Sequence, residues 1–147
     1  MEKAKTNTGF KKTALWIVMS AAVLLIILIL LKGGRGTDGV SDLNGRQAFL
    51  SSFGWEIDPA SEDVRSIQLP EELSGTLLKY NELQLEQGYD LSAHLGENCR
   101  QYCYRVLNYP DPKQTVLVTL YIQGDSVIAG DVHSTALNGF IQGLKKE

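Results

Sequence analysis

The sequence predicts a small α+β domain carried behind a single membrane-crossing helix. Three observations lead to this. Residues 13–31 are nineteen positions without a charge. Residues 44–88 hold two helical patterns, each closed by a glycine. Residues 99–132 alternate apolar and polar positions and are broken by Pro110-Asp111-Pro112 and Gly124-Asp125.

As a helix rising ~1.5 Å per residue, residues 13–31 span about 28 Å, close to the ~30 Å of a bilayer's hydrocarbon core. The apolar core of a cleaved signal is shorter, about 7–15 residues, and small residues follow it. Here Leu30, Leu31 and Lys32 follow, without an Ala-x-Ala pattern or a nearby cysteine for lipid attachment. The run also lacks the polar face of a buried core helix. An uncleaved single-pass anchor is expected, with the lipid bilayer as its partner.

Charge orients it. Residues 1–35 carry six basic side chains and one acid, whereas the rest carries eight basic and sixteen acidic ones. Four lysines precede the span, and cytoplasmic flanks carry the Lys/Arg excess. Residues 1–12 are therefore a predicted cytoplasmic tail, and Trp16 fits an interfacial anchor. The cell membrane is the expected location, with the C-terminal domain extracytoplasmic. Four glycines among residues 33–39 make residues 32–40 a flexible tether. Residues 41–144 form the predicted domain, long enough for one modest core. Its acidic balance offers no basic stripe to nucleic acid.

Within the domain, Asn44-Gly45-Arg46-Gln47 reads as a capping box. Phe49, Leu50 and Phe53 share a helical face, and Gly54 ends the helix. Trp55-Glu56-Ile57 reads as a short strand stopped by Asp58-Pro59. A separate strand is expected over Val64–Leu69. Pro70-Glu71-Glu72 is a favourable helix opening. Leu73, Leu77, Tyr80 and Gln84 then form one stripe, with Leu78 and Leu85 beside it, and Gly88 closes the helix. Asp90–Gly96 fits one further turn.

Cys99–Tyr109, Val116–Ile122 and Val127–Val132 are the expected strands, the last two joined by a tight hairpin at Gly124-Asp125. These strands form an antiparallel meander with the two helices packed on one face. A short helix over Ser134–Leu144 would finish the chain.

Several segments carry a familiar pattern in order and spacing. They are Phe49-Leu50-Ser51-Ser52-Phe53-Gly54-Trp55-Glu56, Gln87-Gly88-Tyr89-Asp90-Leu91-Ser92, Tyr102-Cys103-Tyr104, Asn108-Tyr109-Pro110 and Gly130-Asp131-Val132, with Ser134-Thr135 and Gly139-Phe140. From Gly45 to Leu144 the chain resembles an uncharacterised family of Gram-positive envelope proteins known by its domain of unknown function, DUF4830. The resemblance implies an anchored single-pass protein. It brings no activity, cofactor or catalytic residue. Cys103 departs from the pattern, where threonine or a similar residue is expected.

Candidate chemistry is sparse. Cys99 and Cys103 are the only thiols, spaced C-x₃-C rather than C-x-x-C. In a strand they lie about 13 Å apart on one face. That exceeds the ~7 Å reach of a disulfide between Cα atoms, so two unpaired, partly buried thiols are expected. In a helix the same spacing would bring them near.

His94 and His133 are the only histidines. Asp131 and His133 share a strand face, with Ser134 beside them. A nucleophilic triad needs the imidazole within reach of the hydroxyl and the acid beyond it. Adjacent residues at one strand end rarely manage that. Asp131–Thr135 reads better as a strand end that caps the next helix. No ligand pair has a zinc-like spacing.

Six tyrosines (Tyr80, Tyr89, Tyr102, Tyr104, Tyr109 and Tyr121) rim a small core, or could stack on a glycan or grip a peptide. Asp58, Glu62, Asp63, Glu71 and Glu72 read as a solvated face and a helix start, not a calcium loop.

No residue is assigned a catalytic, cofactor-binding or metal-ligating role, and no cofactor is expected. The predicted function is a non-enzymatic binding or interaction module at the envelope, with an unknown envelope protein or ligand as partner. The alternatives are an envelope hydrolase with a site near Asp131 and His133, and a transmembrane regulator.

Overall fold

The structure is a computed structural model and describes residues 39–146. The anticipated tail, span and tether lie outside the described residues, apart from the last two positions of the tether. Among the described residues no helix is long and apolar enough to cross a membrane.

The first helix, α1, covers Leu43–Ser52. Its cap is Asp42, whose Oδ1 accepts from the Gly45 amide at 2.7 Å, two residues before the Asn44 capping box that the sequence suggests. Gly45 is required here. A Cβ on it would lie 1.6 Å from the Gly39 carbonyl oxygen. Phe49 and Leu50 are buried, and Gly54 ends the segment at φ +85°.

Strand β1 is a single run, Ile57–Gln68, not two strands. Its register against the next strand slips between Asp58 and Asp63. The Asp58 side chain accepts from the Ala60 amide at 3.0 Å and the Ser61 hydroxyl donates to the Asp58 carbonyl at 2.7 Å, which shapes this bulge. Pro59 sits inside the bulge, where its missing N–H costs no ladder bond.

Helix α2 covers Gly75–Glu86 and starts at Ser74 rather than Pro70. The Pro70 carbonyl accepts from the Gly96 amide at 3.0 Å, which takes it out of any helical ladder. Gly88, at φ +84°, closes the helix as expected. A 3₁₀ turn, Leu91–His94, is the further turn anticipated after it. The Leu91 amide donates to the Asn81 side chain at 2.7 Å and ties the turn to α2.

Strands β2 (Asn98–Val106), β3 (Val116–Gln123) and β4 (Ser126–Ser134) form the expected antiparallel meander. The β3–β4 hairpin turns at Gly124, φ +59°. A two-residue strand β5, Ile141–Gln142, completes a five-stranded sheet in the order β1-β2-β3-β4-β5. Residues 134–144 are therefore not a helix. The Ser134 amide donates to the Phe140 carbonyl at 3.0 Å and Gly139 turns back onto Ala136 at 2.9 Å, so the chain folds onto the β4 edge.

The helices serve opposite faces of this sheet, not one. Val116, Val118, Leu120 and Ile122 of β3 point into a core with Phe49 and Leu50 of α1, Trp55, Tyr104 and Leu144. We call this the first face. Alternate β3 residues point the other way, where Tyr121 joins Leu73, Leu77 and Tyr80 around Leu69, Leu91 and Cys99. That is the second face.

Three side chains tie Leu144 and the end of α2 to the sheet. Trp55 Nε1 donates to the Leu144 carbonyl at 2.6 Å. The Leu144 amide donates to Gln87 Oε1 at 2.6 Å, and Gln87 Nε2 donates to the Gly130 carbonyl at 3.0 Å. Fully buried Gln84 accepts the Gly130 amide at 2.9 Å. Together Gln84 and Gln87 satisfy the β4 edge at Gly130, beyond the reach of β5.

Candidate functional site

The second face is only partly covered. Beyond α2 it opens into a cavity of about 500 Å³, bounded by Tyr80, the strand residues Gln101, Tyr121 and His133, and the 134–141 loop. Register builds its floor. Thr119 lies directly opposite Asp131, and His133 follows two residues on along β4.

Asp131 is 3% exposed, so its carboxylate depends on partners. It has two. The Tyr80 hydroxyl donates to Oδ2 at 2.7 Å, and His133 Nδ1 meets Oδ1 at 2.7 Å. A carboxylate only accepts, so this pairing places the proton on Nδ1 and leaves Nε2 as the other polar atom of the ring. The bond to Asp131 raises the His133 pKa, against the opposing effect of burial. Burial, reinforced by the Asp131 charge, pushes the Tyr80 hydroxyl far above its ordinary value. Burial likewise raises Tyr121, whose hydroxyl accepts from Gln101 Nε2 at 2.9 Å. The Tyr80 and Tyr121 rings meet edge to face, with centroids 5.9 Å apart.

The anticipated Asp131–His133 neighbourhood is thus real, and Ser134 lines the same cavity. Its hydroxyl accepts from the Ala136 amide at 3.2 Å, in the role of a loop-forming group. Cys99 and Cys103 are both free; Cys99 is buried and Cys103 half-buried, as the strand reading expects. Burial raises both thiols, and for Cys103 it outweighs a hydrogen bond from Thr119. Neither resembles an activated nucleophile, which needs a lowered pKa. His94 sits elsewhere, 3.2 Å from Glu97 Oε2. Among the described residues no three His, Cys, Asp or Glu side chains are grouped to hold a metal ion.

The acids do not form one solvated face. Asp58 pairs with Arg105, and Asp63 with Arg65 at 2.7 Å. Glu62 belongs to a network that sequence reasoning missed. Arg46 is 4% exposed. It donates to the Tyr104 hydroxyl at 2.6 Å, to Glu62 at 2.9 Å and to the Ser41 and Val40 carbonyls at 2.9 and 3.1 Å. Its guanidinium also lies 3.9 Å from the Tyr102 ring centroid. Arg46 and Tyr104 are spent on one another and on Glu62, so the cluster serves to hold the fold, with Glu62 at its solvent edge.

Of the tyrosines, Tyr102 and Tyr104 are core residues. Tyr80 and Tyr121 face the cavity, and Tyr109 stacks on Phe140 at 5.4 Å. The polar members of the α2 stripe, Tyr80 and Gln84, were the available signal for the site. A hydroxyl and an amide on a buried stripe must find partners elsewhere in the fold.

No curated protein and no solved structure matches the chain. The family model for a domain of unknown function, DUF4830, matches residues 49–132, more than half of the chain. The match takes in the sheet from β1 to Val132 and both helices except the first turns of α1. On that extent the chain belongs to the DUF4830 family.

Proposed function

We propose that this chain is a membrane-anchored, extracytoplasmic binding module without enzymatic activity. Residues 13–31 hold it in the cell membrane, residues 1–12 stay in the cytoplasm, and the sheet's second face meets an envelope ligand. The uncharged nineteen-residue run and its lysine-rich flank support the anchoring. The observation that carries the binding reading is the cavity on the second face. Its acid is buried and already hydrogen-bonded by Tyr80 and His133, so the wall offers polar groups without an exposed carboxylate. Fully exposed Leu137 and half-exposed Ile141 add an apolar lip. Such a surface fits a polar wall-derived ligand, a glycan or a short peptide, resting one apolar side on the loop.

Two measurements test this. Protease treatment of wall-stripped cells should remove a tag placed after Glu147 while an internal marker survives; a protected tag reverses the topology. Soluble muropeptides should bind the full-length chain in detergent saturably, and His133→Ala should weaken binding at least tenfold. Wild-type protein that binds no muropeptide would remove the wall-ligand reading.

A second reading draws on the His133–Asp131 pair itself. An imidazole oriented by a carboxylate can serve as a general base for a water molecule, as an envelope hydrolase would need. Release of new reducing ends or amines from cell-wall material by the wild type, abolished in His133→Ala, would favour hydrolysis over binding.

A further inference from the structure

Strand β1 is an edge strand, and its outer rail is regular. The Leu69 amide donates to the Glu97 carbonyl at 2.9 Å, which fixes the alternation of the β1–β2 ladder. Asp63, Arg65 and Ile67 face their hydrogen bonds toward β2. Val64, Ser66 and Gln68 turn their amides and carbonyls outward. None of these outward backbone groups has a partner among the described residues. Val64 is 45% exposed, and Ser66 and Gln68 are exposed as well. The bulge at Asp58–Asp63 and Pro70 limit the rail at either end.

We propose that this rail binds the same rail of a second copy, antiparallel about Ser66, to give one ten-stranded sheet across two chains. The register follows from the residues. Centred on Ser66, all three outward positions pair: Val64 with the partner's Gln68, Ser66 with the partner's Ser66, and Gln68 with the partner's Val64. That is six backbone hydrogen bonds. Arg65 then lies opposite the partner's Ile67, so no like charges meet. Centred on Arg65, only two positions pair, and two arginines face each other, which destabilises a cross-strand pair. Centred on Val64, a single position pairs before the bulge intervenes. Asp63 and Arg65 already neutralise each other within the strand at 2.7 Å, so the edge brings little net charge to the contact.

The two-fold axis of such a sheet runs perpendicular to it, so like residues of the two copies lie on the same face. Val40 is buried against the first face. In the dimer both copies therefore carry Val40 on the same side of the sheet. Two chains anchored in one membrane require that arrangement, although the pairing does not depend on the anchor.

Cysteine cross-linking of the full-length chain in detergent tests the register. Opposed Cα atoms of a hydrogen-bonded pair lie about 5.5 Å apart, within disulfide range. Ser66→Cys should cross-link to itself under mild oxidation, above the background set by wild-type Cys99 and Cys103. Val64→Cys and Gln68→Cys should each fail alone, since like positions lie about 13 Å apart, yet cross-link when mixed. Ser66→Pro removes only an outward N–H, so it should keep the wild-type circular dichroism spectrum while its mass by light scattering falls from two chains to one. Equal cross-linking of Ser66→Cys and Val64→Cys, or wild-type protein that stays a monomer at all concentrations, would overturn the proposal.

Discussion

Arg46 Nε donates to the Tyr104 hydroxyl over 2.6 Å, joining a helix residue to a strand residue 58 positions later. Arg46 lies on the side of α1 that faces the sheet, and its charge is balanced by Glu62 on the β1 bulge. This one side chain therefore couples α1, β1 and β2. Arg46→Ala removes every one of these bonds and leaves the Tyr104 hydroxyl only the bond it donates to Glu62. We expect a loss of about 3 kcal/mol by urea unfolding, lessened because Glu62 keeps contact with water. Tyr104→Phe should cost about 1–3 kcal/mol, because Arg46 Nε loses its acceptor while the other guanidinium bonds remain. Unchanged midpoints for both variants would show that the network contributes nothing net.

The His133–Asp131 bond predicts a pH dependence. His133 has a raised pKa in the folded chain, so the folded state holds its proton more tightly than the unfolded chain does. The stabilisation is complete below the unfolded value of about 6.5 and is lost as pH rises through the folded value. Wild-type melting temperature should therefore fall across that window, and the slope should flatten in His133→Asn. A proton NMR titration of His133 gives the folded pKa directly, and a value at or below 6.5 would contradict the geometry.

Tyr80→Phe tests the other arm of Asp131. The buried carboxylate loses its hydroxyl donor, and we expect about 1–3 kcal/mol of destabilisation. The Tyr80–Tyr121 ring contact remains in this variant, so the loss reports the hydrogen bond and not the packing.

The thiols should differ in rate, not in pairing. Cys103 is half-buried and Cys99 only 6% exposed. Native maleimide labelling should modify Cys103 first, with Cys99 reacting only when the domain opens. Intact mass under oxidising conditions should retain both hydrogens, since a bridge within one chain would require β2 to buckle.

Gly130 and Gly124 make a paired test. A Cβ at Gly130 would meet buried Leu144 at 2.8 Å, whereas Gly124 has open space at φ +59°. Gly130→Ala should cost about 1–3 kcal/mol from overpacking, and Gly124→Ala about 1 kcal/mol from its left-handed backbone. The ranking can be read from denaturant midpoints.

The local signals in the sequence were mostly sound, and the errors were of partnership. Glycines 54, 88 and 124 ended their segments as their positions implied, because a positive φ is a local demand. The period-two runs of β3 and β4 were plain for the same reason. Asp58-Pro59 looked like the end of a strand because a bulge is visible only against its partner strand. The 134–144 stretch looked helical because its pairing with β4 runs over just two residues. Arg46 stood inside the expected capping box with no partner assigned, since nothing near it in sequence names Tyr104. The site was half legible. Asp131 and His133 stand two apart, but Tyr80 reaches Asp131 from 51 residues away.

The clamp on Val40 and Ser41 also has a mechanical consequence. Arg46 grips both carbonyls at the point where the chain enters the domain, and the same guanidinium grips Glu62 on the bulge of β1. A tug arriving from the N-terminal side is thus delivered to the edge strand as well as to α1. Traction on Val40 would strain the bulge, making β1 the first part of the sheet to register a load.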